Sequence, residues 1–265
     1  MSQQLPHDFV PWNTEEVPQL PKKRKMKPGV KSALFSMAMI LVLVIFLFGS
    51  LFRIRKVTVV GNQDYTPDQI MQEAGIQYGM SYFSVTEKKV RTAMEQNRYL
   101  EFRGMEKFIP GSVALYIRER NARANVQVMG ITYLLDESGM VLEAPSNGLD
   151  STLPIVTGMQ SRNVMVGKTL VSGNENQMDA YRLLMEELLA QGYLYDIAEL
   201  KVSDPENLYL LTRDGYTVHL GDGEELRAKI GTMRAVVMKL REMGHKGGVI
   251  DASVPAVATY TPSEI

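Results

Sequence analysis

The sequence predicts an α+β fold: a single transmembrane helix, a small β-α-α-β-β domain, and a larger mixed β-sheet domain with helices on one face. Three observations support this prediction. Residues 32–52 contain no charged side chain, two helix-capping motifs stand between alternating strands, and two later segments carry apolar residues at helical spacing. We therefore divide the chain into a tail (1–31), a span (32–52), a first domain (53–122), a second domain (123–262) and a short end (263–265).

The composition is that of a folding chain. The 265 residues are 45% hydrophobic and 22% charged, and the formal net charge is -1. Residues after the apolar run are mildly acidic, which gives no general attraction for nucleic acid. Cysteine is absent, which excludes disulfides, thiolate metal sites and a cysteine nucleophile.

The apolar run is long enough to cross a bilayer. At a helical rise of about 1.5 Å per residue, 21 residues span roughly 30 Å of hydrocarbon. A buried core helix would show a polar stripe, and this run has none. A cleaved signal peptide would have a shorter apolar stretch and a small-x-small exit. The pattern favours an uncleaved anchor.

Basic residues predict the orientation of this anchor. Three basic residues follow the span: Arg53, Arg55 and Lys56. Six precede it: Lys22, Lys23, Arg24, Lys25, Lys27 and Lys31. Because positive residues resist translocation, we expect a cytoplasmic N-terminus and an exported region from residue 53 onward. The tail has five of the twelve prolines and is predicted to be disordered.

The first domain is predicted from its strand and cap patterns. A strand at 56–60 precedes a capping box opened by Thr66, with Pro67 at the first helical position. Ser84 and Glu87 form a second capping box. Strands are expected from Tyr99 to about Lys107 and over 112–119, where apolar and polar residues alternate. Two helices on a three-stranded sheet are a compact arrangement for such a small unit.

The second domain is predicted to be richer in strands. Hairpin and strand patterns occupy 131–142, 153–156, 197–202, 208–211 and 216–220, and closing strands 249–252 and 256–260. Helices are expected at about 175–190 and 224–243, each with one apolar face.

No catalytic, cofactor-binding or metal-binding residues are predicted. His7, His219 and His245 lack metal-ligand spacing, and no cysteine completes a set. The glycine pair of 221–223 is followed by Leu226 instead of a third glycine, and acidic residues stand where a phosphate would bind. The lack of convergent reactive groups favours a binding or scaffold protein.

Several segments, taken in order, resemble the FtsQ/DivIB family of bacterial cell-division proteins. They follow a basic tail and an anchor, and they extend over nearly all of the exported part. The segments are Val57–Asn62, Ile76–Gly79, Ile109–Val113, Ile117–Arg120, Leu135–Val141, Leu153–Gly158, Val218–Gly221, Lys229 and Val249–Asp251. The resemblance implies a POTRA domain at 53–122 and the family's β domain at 123–262.

The resemblance also implies a function, a location and a site. It implies a non-enzymatic divisome scaffold in the bacterial plasma (inner) membrane, at the division septum. Its expected partners are membrane proteins of the FtsB/DivIC and FtsL types, with possible control of septal peptidoglycan synthases. A partner segment would add a strand to an open sheet edge. The residues expected there are Ser253, Val254, Val257, Thr259 and Tyr260.

Alternatives remain at this point. Val254, Val257 and Tyr260 could simply cover the core instead of binding a partner. The chain could also be a POTRA-containing transport or assembly protein, although roughly 140 residues with two helices do not suit a membrane β-barrel. A membrane-anchored cell-wall enzyme is the third possibility, and the missing motifs count against it. No small-molecule substrate is expected, and membrane lipid is an expected partner.

Overall fold

The computed structural model describes residues 28–161 and 163–263. Residues 1–27 of the predicted tail, with the topology residues Lys22, Lys23, Arg24, Lys25 and Lys27, lie outside the described residues, and residues 28–31 of that tail are helical. Lys31 lies inside them, within the first helix.

The apolar run forms one helix, α1 (Pro28–Leu51, 24 residues). Its segment Gly29–Leu51 has a mean hydropathy of 2.7 and is long and apolar enough to cross a membrane. The helix begins four residues before the predicted Ser32 and ends one residue before Phe52. The earlier start is compatible with a span because a lysine near a helix end can extend its ammonium group to the membrane surface.

Residues Phe52–Ile265 form a second compact unit, which begins with a three-stranded sheet. The strands are β1 (Lys56–Val60), β2 (Leu100–Phe108) and β3 (Ser112–Glu119), in the order β1-β3-β2. β1 runs parallel to β3, and β2 runs antiparallel to it. Two helices belong to the same region: α2 (Pro67–Glu73) and α3 (Glu87–Met94). This is the predicted β-α-α-β-β unit, and the α+β prediction is confirmed.

The two helix starts of this unit differ. The predicted capping box is present at the start of α2. The Thr66 hydroxyl accepts from the Gln69 N–H, and the Gln69 side-chain oxygen accepts from the Thr66 N–H. The second predicted box is wrong. Thr86 occupies the N-cap of α3 without a side-chain bond, and the Ser84 hydroxyl donates to the Ser81 carbonyl instead. A serine that is satisfied by a turn of its own does not cap the helix that follows.

The second sheet has nine strands. They are β4 (Ala124–Val128), β5 (Ile131–Leu135), β6 (Val141–Glu143), β7 (Ile155–Thr157), β8 (Ile197–Lys201), β9 (Leu208–Thr212), β10 (Tyr216–Gly221), β11 (Gly248–Val254) and β12 (Val257–Thr261). Their order is β12-β11-β10-β9-β8-β7-β4-β5-β6, with parallel pairs at β10/β11, β7/β8 and β4/β7.

Helices α4 (Glu175–Ala190) and α5 (Leu226–Glu242) pack on this sheet. Their apolar faces are fully or almost fully buried with the inward residues of the strands. The helical core residues are Met178, Tyr181, Leu184, Met185, Leu188, Leu226, Ile230, Met233 and Val237. On β10 the buried residues alternate with half-buried His219 and Thr217, so one sheet face is covered and the other is more open.

Strand β4 was not predicted because a buried asparagine interrupts its apolar pattern. The Asn125 side chain donates to the carbonyls of Asp150 and Leu153 at 2.8 and 3.2 Å, and accepts from the Asp150 N–H at 2.9 Å. The loop before β7 thus satisfies a polar group that would otherwise be costly to bury.

The β6 edge of the sheet is covered by the chain itself. The Val141 N–H donates to the Lys168 carbonyl at 2.9 Å, and the Gly167 N–H donates to the Val141 carbonyl at 2.8 Å. The Leu170 N–H donates to the Gly139 carbonyl at 2.8 Å. Residues 167–170 therefore occupy the backbone groups that an edge strand would otherwise leave open.

A charge network joins β2 and β3 to the turn between β5 and β6. Arg120 pairs with Glu101 and with the fully buried Asp136, and Arg118 pairs with Glu101 and Glu137. The Asp136 carboxylate also accepts from the backbone N–H groups of Ser138 and Met140. These contacts fix the turn that leads into β6.

Candidate partner-binding edge

Strand β12 forms the other edge of the nine-stranded sheet. It pairs with β11 in antiparallel register: Val249 faces Thr261, Ile250 faces Tyr260 and Asp251 faces Thr259. Within residues 28–161 and 163–263, no segment pairs with its outer side. An edge of this kind exposes backbone donors and acceptors that another strand can use.

A two-residue turn, Pro255-Ala256, connects β11 to β12, and Val254 faces Val257 across it. Proline at the first central position suits such a turn. Ala256 occupies the second position with a φ of 61°, a left-handed conformation that glycine adopts more readily. The turn is therefore held in place at some conformational cost.

The register indicates which backbone groups face outward. Consecutive residues of a strand direct their N–H and C=O groups to opposite sides. Val257 closes the turn against Val254, so Val257, Thr259 and Thr261 direct their groups toward β11. Ala258 and Tyr260 then direct theirs to the open edge.

The structure brings all five predicted residues onto this hairpin but divides them between its faces. Val254 and Val257 are 57% and 58% exposed, and Thr259 is also exposed. Tyr260 is half-buried and packs against the core of the sheet. Ser253 lies within the irregular stretch of β11 between Asp251 and Val254, where the register shifts.

The Tyr260 side chain packs β12 against neighbouring residues of the same sheet. Its hydroxyl donates to the Gly247 carbonyl at 3.0 Å, and its ring lies edge-on to Tyr216 and His245 at centroid distances of 6.3 and 5.9 Å. Gly248, with a φ of 113°, leaves room for that ring, because a Cβ there would lie 2.7 Å from Tyr260 Cε2. The Tyr260 side chain therefore packs within the sheet, and only the backbone groups of Tyr260 face the open edge.

Asp251 orders the irregular stretch of β11. Its Oδ1 accepts from the Ser253 hydroxyl at 2.6 Å and from the Ser253 N–H at 3.0 Å. These bonds, with a smaller contribution from His219, hold the pKa of the Asp251 carboxyl below its usual value. His219 Nδ1 lies 3.5 Å from the same oxygen, and its ring stacks on Tyr209 at 4.6 Å. The predicted Ser253 is therefore already engaged within its own strand.

A buried lysine of α5 lies near the irregular stretch of β11. Lys229 is almost fully buried, and its Nζ donates to the carboxylate and the carbonyl of Asp222 at 2.6 and 3.1 Å. The hydrogen bond from Lys229 lowers the pKa of Asp222. A Cβ on Gly221 would lie 3.2 Å from Ser253 Cβ and 3.9 Å from Lys229 Nζ. Sequence reasoning noted Lys229 only through the resemblance and gave it no role.

The arrangement offers backbone hydrogen-bonding groups at an open strand edge. Among the residues that the structure describes, no group of three or more histidine, cysteine or acidic side chains could hold a metal ion. What the edge supplies is a short row of outward backbone groups with exposed valines beside it. Ala258 is not among the five predicted site residues, although it lies within the predicted closing strand 256–260.

Two family profiles match the chain. The profile described as "POTRA domain, FtsQ-type" matches residues 52–120. The profile described as "Cell division protein FtsQ/DivIB, C-terminal" matches residues 124–253. Together they extend over both sheets up to the irregular stretch of β11, and the edge strand β12 lies beyond the matched residues.

Curated relatives agree with these matches. A cell division protein DivIB of Bacillus cytotoxicus is 27% identical over 260 residues, which are 94% of this chain and 95% of the relative. A DivIB of Clostridium tetani is 23% identical and covers 83% of each chain. A solved extracytoplasmic domain of DivIB from Geobacillus stearothermophilus is 18% identical and covers 47% of this chain and 96% of its own, with a TM-score of 0.30. That score is too low to support an argument about the fold.

Proposed function

The chain belongs to the FtsQ/DivIB family of bacterial cell division proteins, and on that premise we propose that it is a non-enzymatic scaffold of the divisome. It binds small membrane division proteins of the FtsB/DivIC and FtsL types, and through them helps to recruit and regulate septal peptidoglycan synthesis. Family membership favours this function over the transport and enzyme alternatives. The domains that carry it are assigned to residues 53–122 and 123–262.

The observation that supports partner binding is the open edge at β12. A partner segment lying beside β12 would bond to the outward N–H and C=O groups of Ala258 and Tyr260. Exposed Val254 and Val257 stand next to that row and offer apolar contact. At the opposite edge, Val141 of β6 is bonded on its outer side to residues 167 and 168, which favours β12 as the place for strand addition.

The proposed location places this edge outside the cytoplasm. Three basic residues follow α1, and the six that precede the apolar run outnumber them. This bias favours a cytoplasmic N-terminus with both sheets on the outer side of the plasma membrane, at the septum.

A proline substitution tests the edge. Ala258→Pro removes an outward N–H and places a ring in the partner's path, so we expect a loss of roughly tenfold or more in partner affinity with folding intact. The matched control, Thr259→Pro, removes an N–H that points to β11, so it should lower thermal stability. The measurement is co-purification of the full chain with candidate partners from the same membrane, with circular dichroism as the folding control.

The two proline variants distinguish an edge that binds a partner from a hairpin that only covers the core. Undiminished partner capture by the Ala258→Pro chain would place the interface elsewhere on the molecule. A partner lost only in the Thr259→Pro chain, together with the folded signal, would mean that the hairpin merely covers the core.

A further inference from the structure

The start of β1, the start of β3 and the end of β2 lie together at one end of the three-stranded sheet. β1 begins there at Lys56, which lies opposite Ser112 at the start of β3. β2 finishes there at Phe108, which also lies opposite Ser112. The chain enters the same end directly from α1, because α1 ends at Leu51 and Phe52 already belongs to the folded unit. The folded unit therefore begins, in sequence, at the residue after the last residue of α1.

Large apolar side chains are exposed at this end, and we call them the apolar rim: Phe83, Phe108 and Ile109. They are 66%, 52% and 75% exposed. The Phe83 ring lies 5.2 Å from the ring of Phe52, and the Tyr82 N–H donates to the Phe52 carbonyl at 2.9 Å. The loop after Ile109 reaches the entry segment through Gly111, whose carbonyl accepts from the Arg55 N–H at 2.8 Å. The rim is thus fixed beside the first residue of the unit.

Exposed basic residues lie close in sequence to Phe83 of the rim and to the segment through which the chain enters the unit. The exposed ones are Arg53, Arg55, Lys56, Lys88 and Lys89, and the exposed carboxylates near them are Glu87 and Glu106. Lys107 lies under the rim, with its Nζ donating to the carbonyls of Tyr82 and Val85. Exposed aromatic and aliphatic side chains flanked by cations are the combination that sits at a lipid surface.

We propose that the apolar rim docks into the interfacial layer of the membrane that α1 crosses, with the surrounding cations bound to anionic phospholipid headgroups. The occupant is a lipid surface, because the rim adjoins a residue that directly follows the span and its charge is opposite to that of phosphatidylglycerol. Docking would hold the first sheet flush with the bilayer. The inference rests on α1 crossing the membrane and not on the partner strand at β12.

Fluorescence of the full chain in lipid nanodiscs tests this docking. Trp12 is the one tryptophan in the sequence, so Trp12→Phe gives a silent background into which Phe83→Trp is placed. Lipids brominated near the headgroup end of their acyl chains should quench that tryptophan by roughly twofold, with blue-shifted emission, because aromatic side chains at this depth are in lipid contact. The matched control is Tyr195→Trp, at a site that is 54% exposed in the second sheet's domain.

The outcomes decide the proposal without any partner protein. Equal insensitivity of the Phe83→Trp and Tyr195→Trp chains to brominated lipid would overturn docking. Quenching that is the same with and without phosphatidylglycerol would overturn the part played by the cations. A Phe46→Trp chain reports on α1 itself: without quenching there, the span and the docking fail together, while the β12 proposal is judged by its own binding assay.

Discussion

At one edge of the nine-stranded sheet, β6 has three residues and its outer side is bonded to residues 167–168. At the other edge, β12 has five residues, and no segment among those the structure describes lies beside it. Both edges face the same physical problem, since unpaired backbone groups attract other strands. The chain bonds to itself at the start of β6, while among the described residues the outer side of β12 stays open. Three substitutions test this difference.

The largest effect is expected at the closed edge. Asp136→Ala removes a fully buried carboxylate, so Arg120 keeps only Glu101 as an acidic partner and the N–H groups of Ser138 and Met140 lose their acceptor. Breaking such a buried pair should lower the free energy of unfolding by about 3 kcal/mol or more. The measurement is denaturant unfolding of residues 52–265, the compact unit of the chain.

The neighbouring residue supplies the control. Glu137 pairs with Arg118 in the same turn at 2.8 Å but is partly exposed, so Glu137→Ala should cost under about 1 kcal/mol. Similar losses from both substitutions would mean that the turn into β6 does not depend on the buried carboxylate.

A smaller effect is expected at the open edge. Tyr260→Phe keeps the ring against Tyr216 but removes the hydrogen bond to the Gly247 carbonyl, which should cost about 1 kcal/mol. Hydrogen exchange should quicken in β11 and β12 while the β6 edge stays protected. Tyr195→Phe, at a more exposed hydroxyl bonded to Arg123, is the comparison. Faster hydrogen exchange throughout the sheet, including β6, would show that the two edges are not independent.

The smallest effect is expected at the turn. Ala256→Gly removes the strain of a φ of 61° but adds freedom to the unfolded chain, so a net gain of under about 1 kcal/mol is expected. Partner binding should be unchanged, because the outward groups of Ala258 and Tyr260 do not move. The test is thermal unfolding beside the binding assay. Lower thermal stability of the Ala256→Gly chain would show that the left-handed φ of Ala256 does not strain the turn.

Local chemistry made much of this fold predictable. The capping box at Thr66 and the apolar spacing of α4 depend on residues close in sequence, and α4 has the predicted bounds of 175–190. β4 was missed because the partners of Asn125 lie 25 to 28 residues away. Ser84 was misassigned because its hydroxyl is used by a preceding turn.

The sequence predicted which strands form the candidate edge but not how their side chains pack. Alternation in 249–260 predicted two closing strands, and β11 and β12 are present at 248–254 and 257–261. The order of the strands across the sheet depends on the parallel pairing of β10 with β11 around α5, a long-range contact without a local pattern. The packing of Tyr260 against His245 and Gly247 likewise depends on the folded register. The side chain of Tyr260, one of the five predicted partner-binding residues, packs against its own sheet.

The short length of β12 limits how tightly any single strand can bind. Ala258 and Tyr260 present two donors and two acceptors, and each such bond adds only about 0.5–1.5 kcal/mol net. Free association costs about 4 kcal/mol or more before any gain appears. If both proteins are anchored in one membrane, their effective concentration is higher than that of two freely diffusing proteins, so a weak contact is occupied more of the time. The helix α1 would then contribute to the strength of the complex as well as to its location.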